Sequence, residues 1–430
     1  MTMHTPLRAR SLLAALSLCA ATALPAQANN QALIDLLALL RDKGTLSAQE
    51  YAMLVAAAAA DAGTPTVATA PSPAPAPAAA TSQTAQGPAP KLLASTTQAP
   101  TAKDAPTSWT DTIRLKGDIR TRYEYLKDET REGRSRGRLR YRLGAIAQPV
   151  ARVEVGAGIA SGARDQRSTN QSFDDAFSGK DMNLDYAYMQ YAHASGLTGV
   201  AGKFPFKNYL WTPSDVMWDT DINPEGLSLT YRGQNALGAY FTSAGVWVLE
   251  ENRGSSDDPY MVYGQLGQGW SVAGWSGTAA VAGYGFMDIN FVSDISRHDG
   301  RNTDSKLSSV NLALELTHPV GAGELRLLGE FIKNPETTTA QDTAWMLGWR
   351  YALGRWNAKY IYADVDVNAV PDFLPDSDRD QGFTGERGHE FELTYEVIKN
   401  VTLALDYYHV HDKVLDIDEN LMQADVNVKF

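Results

Sequence analysis

From residue 109 onward, apolar and polar residues alternate with period two, most clearly between 112 and 143. On the first arm of this stretch Ile113, Leu115, Ile119, Tyr123 and Tyr125 share one parity, and Arg114, Lys116, Asp118, Arg120, Arg122 and Glu124 the other. On the second arm Arg134, Arg136, Arg138, Arg140 and Arg142 alternate with Leu139, Tyr141 and Leu143. Strand side chains point to opposite faces in turn, so the pattern predicts a hairpin with one apolar face and one face crowded with arginine. A water-soluble sandwich would turn the charged face outward. The arms are too long for that, about 14 residues each against the usual ~5–6, and a solvated face does not need so much arginine. A membrane barrel accounts for both features, with the apolar face toward lipid and the charged face toward a watery lumen.

The rest of the chain continues in the same period. Strands are predicted at 150–162, 182–192, 197–204, 225–232, 238–250, 260–266, 275–286, 307–317, 324–333, 343–353, 356–363, 389–397, 401–411 and 421–430. With the opening hairpin this makes about 16 strands, an even number. Connections after even-numbered strands are short, such as Gln148-Pro149 and Gly354-Arg355, whereas 163–181, 205–224, 287–306 and 364–388 are long. Short turns at one end and long loops at the other are the mark of an outer-membrane barrel, as are Tyr and Trp near strand ends. The predicted fold is all-β: a transmembrane antiparallel β-barrel preceded by a short α-helical, coiled-coil-like segment.

The N-terminal part reads differently. Residues 1–28 form a secretory signal, with Arg8 and Arg10 ahead of an apolar run and Ala26-Gln27-Ala28 as the cleavage site. Residues 29–63 are helical in pattern. Leu33, Ile34, Leu36, Leu37 and Leu40 crowd one side, Gly44 is placed to end the first helix, and Ser47 to Glu50 forms a capping box for a second. So short an amphipathic pair cannot cover its own leucines; it is read as a self-association segment, with docking on the barrel or the cell wall as the alternative. Residues 64–108 are rich in Ala, Pro, Thr and Ser and form an extended spacer.

Composition removes several function classes. The one cysteine, Cys19, lies inside the signal and follows Leu18, which argues against a lipid anchor and leaves the mature chain without thiol chemistry. Loss of Arg8 and Arg10 takes the formal charge from −12 to −14, which argues against nucleic-acid binding. No nucleophile elbow, phosphate loop or metal-protease helix is present, so no catalytic, cofactor or metal residue is assigned. His409 and His411 share a face but have no evident third ligand.

The leucine-rich N-terminal helix with its Gly44 break, the spacer, the arginine-rich hairpin, the run Trp218-Asp219-Thr220-Asp221-Ile222-Asn223-Pro224-Glu225-Gly226 and the terminal Phe430 together resemble the putative porin family of Gram-negative outer membranes. The resemblance implies a sixteen-stranded passive diffusion channel, a homotrimer in outer-membrane lipid, and a terminal strand read by the barrel-assembly machinery at Phe430. The alternative is a closed structural or adhesive barrel tethered to the cell wall through a periplasmic N-terminal segment.

Three groups of residues are candidates for the pore. Arg120, Arg122, Arg138, Arg140 and Arg142 would form the basic wall of a constriction, or an ionic network with Asp118 and Glu124 that only stiffens the sheet. Asp215, Asp219 and Asp221 lie in a loop whose Trp211, Met217 and Trp218 would be costly in water, so that loop is expected to fold inward and set its acids against the arginines, with packing on the rim or on a neighbouring subunit as the alternative. Glu315, Glu390, Glu392 and Glu396, with Glu324, Glu330 and Asp406, share the lumen parity and are expected to form an acidic wall across from the basic one. Small hydrophilic solutes are the expected cargo. Deleting 29–108 should leave a folded barrel with weaker trimers. A truncated protein that runs as an equally heat-resistant trimer on gels would show that the helices do not drive association.

Overall fold

In the computed structural model, residues 108–162, 165–251, 258–289 and 300–430 are described. The signal, the helical pair and nearly all of the spacer lie outside those residues. Sixteen strands follow one another around a closed antiparallel barrel: β1 (Arg114–Asp128), β2 (Arg134–Val150), β3 (Val153–Ser161), β4 (Met182–Ala192), β5 (Leu197–Lys203), β6 (Glu225–Gln234), β7 (Ala239–Val248), β8 (Tyr260–Val272), β9 (Trp275–Met287), β10 (Ser309–Val320), β11 (Gly323–Lys333), β12 (Thr343–Leu353), β13 (Trp356–Val365), β14 (Glu386–Ile398), β15 (Val401–Asp412) and β16 (Ile417–Lys429). A further two-residue strand, Gln171–Ser172, pairs with β2 at Arg138 and Leu139.

Closure is made by β1 against β16, in register from Asp118 opposite Lys429 to Asp128 opposite Glu419. Gly117 and Phe430 extend it with two backbone hydrogen bonds of 2.8 and 3.0 Å. A Cβ on Gly117 would sit 2.6 Å from the Phe430 ring and 2.5 Å from the Arg142 carbonyl, so only glycine allows this approach. The faces are inverted relative to a soluble protein: Leu115 is 70% exposed, whereas Arg122 is 4% exposed. That is the arrangement a strand takes between lipid and an aqueous interior.

The tight turns gather at one end, at residues 151–152, 193–196, 235–238, 273–274, 321–322, 354–355 and 399–400. The sequence reading ended β8 too early, at 266. Gly264, Gly267 and Gly269 interrupt the apolar alternation there, yet the strand runs on to Val272 and turns at Ala273 and Gly274, both with positive φ. The opposite end carries eight loops, of which the first (129–133) and eighth (413–416) are short.

Two loops fold into the barrel. β5 has only 7 residues, so the third loop (204–224) leaves the wall early and turns inward. Its Phe206, Leu210, Met217 and Trp218 are fully buried against Trp247 of β7, Met261 and Tyr263 of β8, Tyr284 of β9 and Met346 of β12. The Trp218 ring meets that of Trp247 edge-on, with centroids 5.3 Å apart. Burial of each such side chain contributes about 1.5–3 kcal/mol toward holding the loop inside the barrel. The seventh loop (366–385) joins the same cluster through Val370, Phe373 and Leu374. The two loops also bind each other: Asp219 N–H donates to the Leu374 carbonyl at 2.8 Å, and Ser377 N–H to the Asp219 carboxylate at 2.9 Å.

The seventh loop is tied to the wall at Asp378, which accepts from Arg122 at 2.9 Å. Burial opposes ionisation of Asp378, but the Arg122 guanidinium outweighs it and holds the carboxyl down at about 2. Hydrogen bonds to charged groups contribute about 1.5–3 kcal/mol. Asp378→Asn should therefore speed proteolytic cleavage within 366–385 about ten-fold or more, measured on detergent-folded protein; cleavage at the parent rate would show that the tie does not hold the loop. A carboxyl held below its ordinary value of 3.8 stabilises docking above that pH and loses its effect as pH falls through about 2. The parent loop should accordingly resist pepsin at about pH 4 and yield near pH 2.

Candidate functional site: a charged lumen wall and two inward loops

The lumen faces of β1 and β2 set Arg120 opposite Arg140 and Arg122 opposite Arg138. Like charges so placed destabilise a sheet unless acids intervene. Asp118 accepts from Arg140 at 2.9 Å and from Arg142 at 2.7 Å. Glu124 accepts from Arg136, and from Arg138 at 3.0 Å. Arg122 holds Asp425 of β16 in a two-point grip of 2.7 and 2.8 Å. Arg120 donates to Asn170 at 2.6 Å and lies 3.6 Å from Asp425. The Nε groups of Arg120 and Arg138 find no acceptor among the described residues. The arginines project into the lumen, and Asp118 and Glu124 bind them, which are the contacts of the ionic-network alternative.

The three loop acids separate. Asp221 reaches the ladder and accepts from Arg142 at 3.1 Å. Asp219 makes no ion pair among the described residues; its carboxylate accepts the backbone N–H groups of Asp221 and Ser377. Burial, and then the nearby Asp221 charge, push the Asp219 carboxyl well above the usual range. Asp215 faces a different set of cations, Lys359, Lys207, Arg350 and Arg379, which together hold its carboxyl down against burial. The expectation that all three acids oppose the β1–β2 arginines thus holds for Asp221 alone. The apolar residues between them dictate this: Val216, Met217 and Trp218 must face the wall of β7–β13.

The acidic wall also needs correction. Glu315 on β10 is eight strands from β2 and stands across the ring, with no ion pair among the described residues. Glu390 and Glu392 lie on β14, only four strands from β2 by way of β15, β16 and β1, so they flank the basic wall instead of facing it. They are also neutralised in place: Lys359 binds Glu390, and binds Glu392 at 2.9 Å. Arg379 adds a contact of 3.6 Å to Glu390. Glu396 is exposed, next to the turn at 399–400.

Several groups here were not foreseen. Lys359 occupies a lumen position on β13 between Asn357 and Ile361, and a lone lysine in such a run was the available signal. Asp376, Asp378 and Arg379 sit in the seventh loop. Its Val370, Phe373 and Leu374 are as costly in water as the tryptophans of the third loop, so the same argument would have turned this loop inward.

Three polar hollows lie along the β1–β4 side. One, of about 190 Å³, is bounded by Glu124, Arg136, Arg138 and Asp378. The next, of about 400 Å³, shares Asp165 and Ser168 with it and reaches Asn183, Asp185 and Asp221. The third, also about 400 Å³, shares Asp185, Asp221 and Asn223 with the second and ends at Lys116, Arg142 and Phe430. The β7–β13 side, by contrast, is filled by the loop cluster.

Comparison with known proteins agrees with this architecture. Residues 125–313 match the model of the family described as "Putative porin". A solved structure of Pseudomonas putida OprB aligns over 75% of this chain and 95% of that chain at 14% identity, with a TM-score of 0.53, a likeness of fold. A mutant of Rh. blastica porin aligns over 74% of this chain and 100% of that chain at 14% identity, with a TM-score of 0.44. Comparison with curated proteins gave no match. The match to the putative porin family thus runs from the end of β1 into β10, and the sixteen-stranded barrel has a porin fold.

Proposed function

We propose that small hydrophilic solutes cross this barrel passively along the β1–β4 wall. The narrowest part of the route would lie where Arg142 meets Asp221 and Arg122 meets Asp378. The observation that carries this reading is the chain of polar hollows that share lining residues from Glu124 and Arg136 at one end to Lys116 and Phe430 at the other. Arg120, Arg122, Arg138, Arg140 and Arg142 act as its basic lining, and Asp221 and Asp378 as the loop acids. Asp215 and Asp219 hold the two loops in place. Glu315 is a separate lumen charge, and Glu390 and Glu392 belong to the Lys359 network. In the membrane the channel works as a homotrimer, with the N-terminal helices in the periplasm and Phe430 read during barrel assembly.

Charge balance sets the selectivity. Asp118, Glu124, Asp425, Asp378 and Asp221 neutralise most of the ladder within hydrogen-bond distance. Fields from wider vestibules are screened over ~8–10 Å, so the narrow part dominates. Selectivity in the parent channel is therefore weak.

Planar bilayers test both levels of the reading. Stable open steps are expected from purified protein, and a correctly folded barrel that never conducts would overturn the channel route. Replacing Arg120, Arg122, Arg138 and Arg140 by Gln leaves their carboxylates unpaired. The cation-to-anion permeability ratio from reversal potentials should then rise about two-fold or more. An unchanged ratio in channels that still open would remove these arginines from the narrow part.

A further inference from the structure

On the tight-turn side of the third loop, the lumen faces of β11, β12 and β13 carry three cations in a row. Arg326 stands opposite Arg350, and Arg350 opposite Lys359. Arg326 is offset by Glu324 at 2.8 Å, and Lys359 by Glu390 and Glu392. Arg350 has neither an ion pair nor a hydrogen bond among the described residues. Its Nε is shielded from water with no acceptor, although the side chain as a whole is only half-buried. A charged donor held in that state is costly until an acceptor arrives.

The third loop supplies a second cation that has no ion pair or hydrogen bond among the described residues. Lys207 lies in the short turn Phe206–Asn208 at the start of the third loop and is open to lumen water, yet protein surrounds it closely. That crowding pushes its ammonium below the usual lysine range, with Asp215, Asp219 and Asp221 acting against the shift and Arg350 adding to it. Asp215 is the fixed carboxylate that Lys207, Arg350, Lys359 and Arg379 all act on. Lys359 and Arg379 have glutamates of their own, whereas neither Lys207 nor Arg350 has an ion pair among the described residues.

We propose that Lys207 and Arg350 form a subsite that takes the carboxylate group of a small organic anion in transit. The inference rests on the channel reading above and adds a solute class to it. The chemistry is already present in this protein, where the Arg122 guanidinium grips the Asp425 carboxylate at two points. A planar guanidinium matches a planar carboxylate, and a nearby ammonium adds a point charge without a geometric demand of its own. In a narrow lumen such a contact must be weak enough to release, and two donors on separate elements suit that requirement better than a closed pocket.

The probe is succinate. Added on the tight-turn side of oriented full-length channels in planar bilayers, it should interrupt the current in proportion to its concentration. Arg350→Gln and Lys207→Gln should each weaken the interruption about five-fold or more by removing a charge-assisted bond. Arg350→Lys, which keeps the charge, should retain most of it. Saturation-transfer NMR of succinate against the detergent-folded full chain reads binding without any need for conduction, and the signal should fall in both Gln variants. Unchanged mobility on heat-modifiable gels checks that each variant has folded. Channels that open and respond to succinate as the parent does in both Gln variants, or NMR signals that do not change, would overturn the subsite. Channels that never open would overturn the route instead, and the NMR comparison would still decide the subsite. Inorganic phosphate that interrupts the current as strongly as succinate at equal charge would overturn the carboxylate preference.

Discussion

A backbone in hydrocarbon must find every hydrogen-bond partner within the protein. Here that demand is met by the ladder between β1 and β16, extended by the pair Gly117 and Phe430. Once the sheet closes, one face of every strand belongs to lipid and the other to the interior. The arginines of β1 and β2 then have nowhere to go but inward. Their mutual repulsion calls in turn for carboxylates from the same hairpin, from β16 and from the two loops. The ionic network is thus a consequence of closure, and it also draws the loops toward one wall.

The interior is divided as a result. Toward β7–β13 the lumen side carries an apolar patch beside its charged positions, which would be a fault in a wide water-filled barrel. It serves here as the seat for Phe206, Met217, Trp218, Phe373 and Leu374. Toward β1–β4 the wall is polar and the loops present carboxylates. One set of residues anchors the loops, another holds space open, and the two sets lie on different arcs of the ring. Hydrophobic burial holds the loops, while ion pairs set how close they come to the arginine wall.

The architecture was largely legible because it depends on a local pattern. Period-two alternation located all sixteen strands, and parity alone put Arg120, Arg122, Arg138 and Glu390 on the lumen face. The inward turn of the third loop was legible for a related reason, since Trp211, Met217 and Trp218 make a poor surface. What could not be read was pairing across the ring. Asp425 and Arg122 are 303 residues apart in sequence and 2.7 Å apart in space. Asp215 and Asp221 are close in sequence, yet they face different cations. Nothing local distinguishes a carboxylate that meets Arg142 from one that meets Lys359; the packing of the apolar residues between them decides it. The seventh loop was missed through uneven reasoning, because its buried Phe373 and Leu374 carried the same message as the tryptophans.

The unequal loop lengths shape the mouth of the barrel. The first and eighth loops, 129–133 and 413–416, are short and join β1 to β2 and β15 to β16. The strands they join, β1, β2 and β16 among them, line the hollow at Glu124, Arg136 and Glu419. The rim is therefore low on the arc where the ladder begins. That low arc leaves the charged end of the β1–β2 wall close to the edge of the barrel, off its axis.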